Sequence, residues 1–237
     1  MKFFLWISFM ACLFVHDATG QTIKKYKINP GQKVSEVIPQ NEVYSYPEFV
    51  TGRVYLRNNT VSIVKLNYNS LLAEMQFINP DGDTLSVADE KMISIIIVNT
   101  DTFFYDNAYL KMIANEGKVK LANHQFIEMT NKEKIGEFGQ VGRGSVETYT
   151  TLSTNQTASK DLVANEVITM VKKSVYYIGD EFNSFKVASK KNVLDIYAKN
   201  ENEVKAYLKE NKVDFNKEKD LRQLIVFLKK INPTMPL

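Results

Sequence analysis

The sequence predicts a mainly β protein, either an antiparallel sandwich or a curved open half-barrel, with a small α-helical segment at its C-terminal end. Short runs of β-branched and aromatic residues recur between about residues 34 and 178, and turn signals separate them. Amphipathic helical spacing begins only after about residue 184. No long helical stripe interrupts the strands, which argues against a parallel α/β sheet. Periodicity does not distinguish the sandwich from the half-barrel.

The clearest strand signals lie in the first half of the chain. Val61–Tyr68 is a β-branched and aromatic run, and Leu72–Phe77 alternates apolar with small or polar residues, as a half-buried strand does. Asn79–Asp83 contains Pro-Asp-Gly, which predicts a tight turn into a returning strand. Ile93–Val98 is almost continuously apolar, which is typical of a strand covered on both faces.

Further strands follow along the chain, and they complete a predicted β-rich domain over residues 21–183. The segments are Thr102–Tyr105, Tyr109–Ala114, Val119–Leu121, Phe126–Met129, Val146–Leu152 and Val163–Ile178. Two polar loops lie among them: a glycine-rich one over residues 136–144 and a second at Ser153–Lys160. The glycine spacing does not match a phosphate-binding motif, so we expect a surface loop.

Residues 184–237 are predicted to form short amphipathic helices. The first is Ser189–Tyr197, with Val193, Leu194, Ile196 and Tyr197 facing inward. Asn200 and Glu203 have the spacing of a capping box before a second helix, and Asn216 is a candidate cap for a third. The third helix has a wide apolar stripe, which must pack on another surface: Leu221, Leu224, Ile225, Leu228 and Ile231.

The first twenty residues have the layout of a secretory signal peptide. Lys2 precedes the apolar run Phe3–Val15, and Ala18-Thr19-Gly20 supplies small residues before a cleavage site. The run is shorter than the roughly 20 apolar residues that span a bilayer. We therefore expect removal of residues 1–20, no transmembrane span in the mature chain, and a periplasmic, outer-membrane-associated or extracellular location.

The cysteine and the net charge narrow the function classes. Cys12 is the only cysteine, so a chain cleaved after residue 20 is cysteine-free and has neither a disulfide nor a thiol nucleophile. Acylation of Cys12 as a lipoprotein is an alternative, although the usual leucine three residues earlier is absent. The net charge of +3 is too small to indicate nucleic-acid binding. These features favour an exported protein of a Gram-negative bacterium.

Two polar positions are weighed as sites. His124 lies between Asn123 and Gln125, a polar context in which a lone histidine is usually a surface residue rather than a catalyst or ligand. Asp81-Gly82-Asp83 with Asn79 resembles half of a calcium loop but lacks the downstream glutamate, and a hairpin turn explains the same residues. No catalytic residue, cofactor or metal site is therefore assigned.

Carboxylates and aromatics leave further possibilities. Glycoside hydrolysis needs two carboxyl groups at a set distance, and four glutamates lie in strand-like segments: Glu74, Glu128, Glu147 and Glu166. We expect these to face solvent. Most aromatics should be core residues, although a cluster on an open face would bind sugar, lipid or peptide. The aromatics concerned are Phe103, Phe104, Tyr105, Tyr109, Tyr149, Tyr176 and Tyr177.

Three stretches together resemble a group of uncharacterised exported proteins from Gram-negative bacteria of the gliding and gut-dwelling kind. They are Leu66–Asn69, Glu74–Phe77 with Gly82–Leu85, and Leu208–Phe215. The resemblance covers most of the mature chain, and its motifs are turns and helix caps. It implies an envelope protein but no activity, cofactor or site residues.

Three function classes follow. The first is a non-enzymatic binding or accessory protein that acts through its sheet face or terminal helices on a protein, apolar or sugar partner. The second is a periplasmic carrier of a lipid or other apolar ligand inside a curved sheet. The third is a carboxylate-dependent hydrolase. A hollow interior would favour the second, and two acids across a cleft the third. A filled interior with an exposed apolar helix stripe would favour the first.

Overall fold

The structure is a computed structural model, and it describes residues 24–135, 141–143 and 164–231. The predicted signal peptide, the strand Val146–Leu152, the loop Ser153–Lys160 and most of the glycine-rich loop lie outside these ranges. Within them, no helix has both the length and the apolar composition that crossing a membrane requires.

Twelve strands in the described ranges belong to one sheet, in which every pairing is antiparallel. The strands are β1 (Lys25–Ile28), β2 (Val50–Leu56), β3 (Val61–Asn69), β4 (Glu74–Ile78), β5 (Thr84–Ser86), β6 (Ile93–Val98), β7 (Asp101–Tyr105), β8 (Tyr109–Glu116), β9 (Val119–Ile135), β10 (Val141–Arg143), β11 (Val167–Gly179) and β12 (Phe185–Val187).

The sheet is open, and its main path runs β1-β11-β9-β8-β7-β6-β2-β3-β4-β5. Strand β10 pairs with β9, and β12 pairs with β11. The mainly β class is thereby confirmed, together with its small helical segment. Because the described strands form one sheet, the curved open sheet is the version of the prediction that the structure adopts.

Hydrogen bonds between non-neighbouring strands show how strongly the sheet curls. Strands β3 and β9 are separated in the sheet order by β8, β7, β6 and β2. Nevertheless the Tyr68 hydroxyl at the end of β3 donates to the Gln125 carbonyl oxygen of β9 at 2.7 Å. The Ile127 amide donates to the Ser70 carbonyl oxygen at 2.8 Å. The sheet therefore bends far enough for β3 to meet β9.

The space inside the curl is filled by side chains from β2, β3, β4, β6, β7 and β8. Leu66, Met75, Ile93 and Ile96 are fully buried there, and the Tyr68 ring lies 6.0 Å from the Tyr109 ring and 6.1 Å from the Phe103 ring. Aromatic pairs at this separation stabilise a core beyond their buried area. The interior of the curl is thus a packed core.

In the described ranges, five α-helices accompany the sheet: α1 (Val34–Val37), α2 (Gln40–Val43), α3 (Lys190–Ile196), α4 (Glu201–Glu210) and α5 (Glu218–Ile231). The stripe of α5 is buried against the sheet, where Leu224 and Leu228 join a cluster with Leu121 of β9 and Ile178 of β11. The amphipathic spacing of α5 therefore serves docking onto the chain's own sheet. β12 lies at the start of the segment 184–237, ahead of these helices.

The N-terminal part differs from the strand pattern expected from about Val34. Residues 34–43 form the two single-turn helices α1 and α2. The Glu36 carboxylate accepts a hydrogen bond from the Lys33 amide at 3.3 Å, and Pro39 stands at the start of α2. Both features favour a helix start, so local capping prevails over a β-like run of apolar residues.

Other local predictions are corrected in detail. The strand expected from Leu72 begins at Glu74 because the Asn69 side-chain oxygen accepts from the amides of Leu71 and Leu72 and holds a turn. Asn200 makes no side-chain capping bond, and α5 begins at Glu218, two residues beyond the expected cap Asn216. Ile196, expected to face inward, is 38% exposed. Ser189 does cap α3, because its hydroxyl accepts from the Asn192 amide at 3.2 Å.

Candidate functional site

A pocket of about 520 Å³ lies where the β3–β4 turn, the β7–β8 hairpin and strands β9 and β11 approach one another. Its volume is within the range of small-molecule sites. The lining combines carboxylate, imidazole and aromatic groups from five separate segments of the chain. These residues are Leu72, Ala73, Glu74, Glu90, Tyr105, Asn107, Ala108, His124, Phe126, Val175 and Tyr177.

Tight backbone turns place three of these segments at the pocket. Ala73, Asp89 and Asn107 all have left-handed backbone conformations, with φ of +56°, +52° and +57°. Asn and Asp adopt this region readily, whereas alanine does so at a cost of about 1–2 kcal/mol. Ala73 is held there by the Asn69-capped turn, and the turn delivers Glu74 to the pocket.

His124 is the most informative polar group in the lining. Its Nδ1 lies 3.1 Å from the Tyr109 carbonyl oxygen, and its ring stacks on Phe126 with a centroid separation of 4.8 Å. A carbonyl oxygen only accepts hydrogen bonds, so Nδ1 carries the proton. Burial lowers the pKa of His124 below its ordinary value, and the Tyr109 carbonyl opposes the shift. The neutral ring therefore has an unprotonated Nε2, which is a hydrogen-bond acceptor.

Two carboxylates, those of Glu74 and Glu90, reach the pocket from different elements. Glu74 opens β4, and its Oε2 accepts a hydrogen bond from the Ser86 hydroxyl at 2.5 Å. Glu90 lies in a 3-10 turn, Glu90–Met92, before β6. No lysine or arginine is among the described residues that line the pocket. The lining thus has a negative character.

Two tyrosines adjoin these carboxylates. The rings of Tyr105 and Tyr109 meet edge to face at 5.1 Å. Burial, with a further contribution from Glu90, raises the pKa of Tyr105 to about 12. Tyr109 is 2% exposed, and its hydroxyl has no partner in hydrogen-bonding geometry among the described residues. Burial, followed by the nearby Glu90 and Glu74 carboxylates, raises its pKa as well. Both phenols are neutral at physiological pH.

The structure brings several residues that lie far apart in the sequence into one pocket. His124, expected at the surface, lies in the middle of β9 and is partly buried. Glu74, expected to face solvent, lines the same pocket, as do Tyr105 and Tyr177. Phe126 could have been linked to His124, since residues two apart on a strand share a face. Glu90 carried no such signal.

The remaining candidates have structural partners or lie outside the described ranges. Glu128 forms an ion pair with Lys173, and Glu166 lies 3.2 Å from Lys132. Glu147 and Tyr149 fall outside the described residues. Phe103, Phe104, Tyr109 and Tyr176 are buried, as most of the aromatics were expected to be.

The segment that resembles half of a calcium loop is a hairpin turn. The Asn79 side-chain oxygen accepts from the Asp83 amide at 2.7 Å, and Gly82 takes the left-handed conformation that the turn requires. In the part of the chain that the structure describes, no group of three or more His, Cys, Asp or Glu residues is placed to hold a metal ion.

The His124 ring lacks the partner that a histidine base of a hydroxyl or thiol nucleophile would have in the described part of the chain. A histidine base needs a hydroxyl or thiol within hydrogen-bond reach. Among the described residues the one hydrogen bond recorded for the His124 ring is to the Tyr109 carbonyl, and the Ser86 hydroxyl is engaged with Glu74. Among the described residues, the pocket therefore presents hydrogen-bond acceptors and aromatic rings, with no hydroxyl or thiol hydrogen-bonded to the His124 ring.

Comparison of the chain with protein-family models, with curated proteins and with solved structures finds no match in any of the three.

Proposed function

We propose that the protein is an exported, non-enzymatic binding protein of the cell envelope, and that its binding site is the pocket lined by His124, Glu74 and Glu90. The observation that carries this proposal is the convergence of five chain segments on one pocket of about 520 Å³, in which polar groups lie among aromatic side chains. A few convergent polar groups within an apolar lining are the usual composition of a ligand site.

Two other locations for binding have less support. The interior of the curl is packed with buried side chains such as Leu66, Met75 and Phe103. A lipid carrier would need a ligand cavity in that place. The stripe of α5 is covered by the chain's own sheet, because Leu221, Leu224 and Leu228 are fully buried. The terminal helices consequently lack the exposed stripe that a docking function would use.

A carboxylate-dependent hydrolase is the second candidate, since Glu74 and Glu90 line the same pocket. Hydrolysis of a glycoside would use one of them as an acid and the other as a nucleophile or base. Under this alternative Glu74→Gln and Glu90→Gln would each abolish turnover of a chromogenic glycoside, whereas a binding protein turns over none.

A thermal-shift screen of the purified chain against amines, sugars and fatty acids tests the proposal. A pocket ligand at about a hundredfold excess over its Kd should raise the Tm by about 5 °C or more. Ala108→Trp fills the pocket and should remove the shift, whereas Ala198→Trp, at an exposed position in the turn before α4, should retain it. A shift that is equal in both variants, or absent with every compound, would overturn the pocket as the binding site.

A further inference from the structure

We infer that the pocket selects an organic cation, a primary ammonium group attached to an apolar or aromatic flank. This inference rests on the proposed binding function and adds the chemical class of the ligand. It follows from three properties of the lining: its charge, the direction of its hydrogen bonds and the placement of its rings.

The charge of the lining favours a cation. Glu74 and Glu90 supply two carboxylates from separate turns, and the described lining residues include no lysine or arginine to neutralise them. Of these carboxylates, Glu74 is engaged by a neutral hydroxyl, that of Ser86. An anionic ligand would meet two like charges at close range, which costs free energy in a partly desolvated site.

The polar groups of the pocket mainly accept hydrogen bonds. Nε2 of His124 accepts because Nδ1 donates to the Tyr109 carbonyl. Carboxylate oxygens accept only, and the Glu74 carboxylate has more lone pairs than the Ser86 hydroxyl that donates to it can satisfy. A primary ammonium group carries three donors and no acceptor, so it complements this set. A quaternary ammonium group would leave the acceptors unmatched.

The rings supply the apolar part of the site. Phe126 stacks against His124, and Tyr105 and Tyr177 line the same cavity. Aromatic faces attract a cation held within about 6 Å of the ring centroid and also pack against an apolar flank. A ligand that has both a cationic group and an apolar flank would contact the carboxylates and the rings at the same time.

The inference is tested with benzylammonium as the probe, and with benzyl alcohol, benzoate and benzyltrimethylammonium as matched comparisons. Binding is followed by NMR of the 15N-labelled chain and of the Cε1–H signal of His124. We expect benzylammonium to shift the His124 signal and to bind at least about tenfold more tightly than benzyl alcohol, because hydrogen bonds to charged groups are the stronger ones. Benzoate should not bind.

Variants that remove one carboxylate charge test whether Glu74 and Glu90 bind the ammonium group. Glu74→Gln and Glu90→Gln keep the side-chain shape, and each should weaken benzylammonium binding by about tenfold. Glu210→Gln makes the same change of net charge at an exposed position on α4 and should leave the affinity unchanged. The amide spectra report whether each variant is folded.

The outcomes separate the ligand class from the proposed function. If benzyl alcohol or benzyltrimethylammonium binds as tightly as benzylammonium and shifts the same signals, the pocket binds ligands but the ammonium class is wrong. If no probe shifts the His124 signal at millimolar concentration, the ammonium class is overturned, and the thermal-shift screen decides the binding function separately.

Discussion

At the scale of single residues, His124 shows how burial gives an ordinary side chain a defined chemical state. Its Nδ1 proton is fixed by the Tyr109 carbonyl oxygen at 3.1 Å, and burial lowers the pKa of the ring. A buried neutral imidazole also contributes to the pH dependence of stability, because the unfolded chain binds a proton that the folded chain resists.

The His124 imidazole should titrate below 6.5, its ordinary pKa. The contribution of the neutral His124 ring to the free energy of unfolding is therefore present above about pH 6.5. It is lost as the pH falls through the lowered pKa of the folded state. Urea unfolding at pH 7.5 and pH 5 should therefore show a loss of stability in the wild type. His124→Asn, which does not titrate, should show a smaller loss. A His124 NMR titration midpoint at or above 6.5 would contradict the burial argument.

The sequence showed several of the pocket residues as candidates, but it did not show that they meet in one pocket. His124, Glu74 and Tyr105 are each visible as candidates, but they lie in different segments, and alternation alone does not say which strands meet. His124 was expected at the surface because Asn123 and Gln125 are polar. In a strand those neighbours point to the opposite face from His124, so they say little about its surroundings.

At the scale of secondary-structure elements, α5 is defined by its apolar stripe and by the sheet beneath it. Leu224 and Leu228 are fully buried, whereas Val226 on the same helix is 41% exposed. Leu228 and Val226 therefore allow a matched comparison, in which aspartate replaces a buried residue in one variant and a partly exposed residue of the same helix in the other.

Leu228→Asp should lower the free energy of unfolding by at least about 3 kcal/mol, since it removes a buried side chain and buries an unpaired carboxylate. Val226→Asp should cost about 1 kcal/mol at most, which reflects helix propensity at a partly exposed site. Chemical denaturation with far-UV circular dichroism measures both. Equal effects in the two variants would show that α5 does not dock on the sheet.

Elements with strong local signals were predicted well from sequence. Strand β3, the Asn79–Asp83 turn and helices α3 to α5 all follow from periodicity and turn chemistry. The errors fall where one side chain decides the local geometry. Asn69 delays the start of β4 by capping a turn. Residues 34–43 form short helices, with the Glu36 carboxylate accepting from the Lys33 amide before α1 and Pro39 standing at the start of α2. Such contacts depend on distances that a residue pattern does not contain.

At the scale of the whole molecule, the curl of one sheet organises the core, the helices and the pocket. The bonds from Tyr68 to Gln125 and from Ile127 to Ser70 join strands that are far apart in the sheet order. The mainly β class was predictable because it depends on periodicity. The choice between a sandwich and a curved open half-barrel was not, because it depends on these long-range contacts and on the packing of Phe103, Tyr68 and Tyr109.

The central claim is that this curled sheet carries a ligand site at the His124 pocket and not inside its core. Native mass spectrometry of the chain purified from the cells that naturally produce it tests the claim most directly. The account predicts an added mass of a few hundred daltons on the wild type and on Ala198→Trp, lost on collisional activation and absent from folded Ala108→Trp. A wild-type chain without added mass, or an added mass that survives in Ala108→Trp, would contradict it.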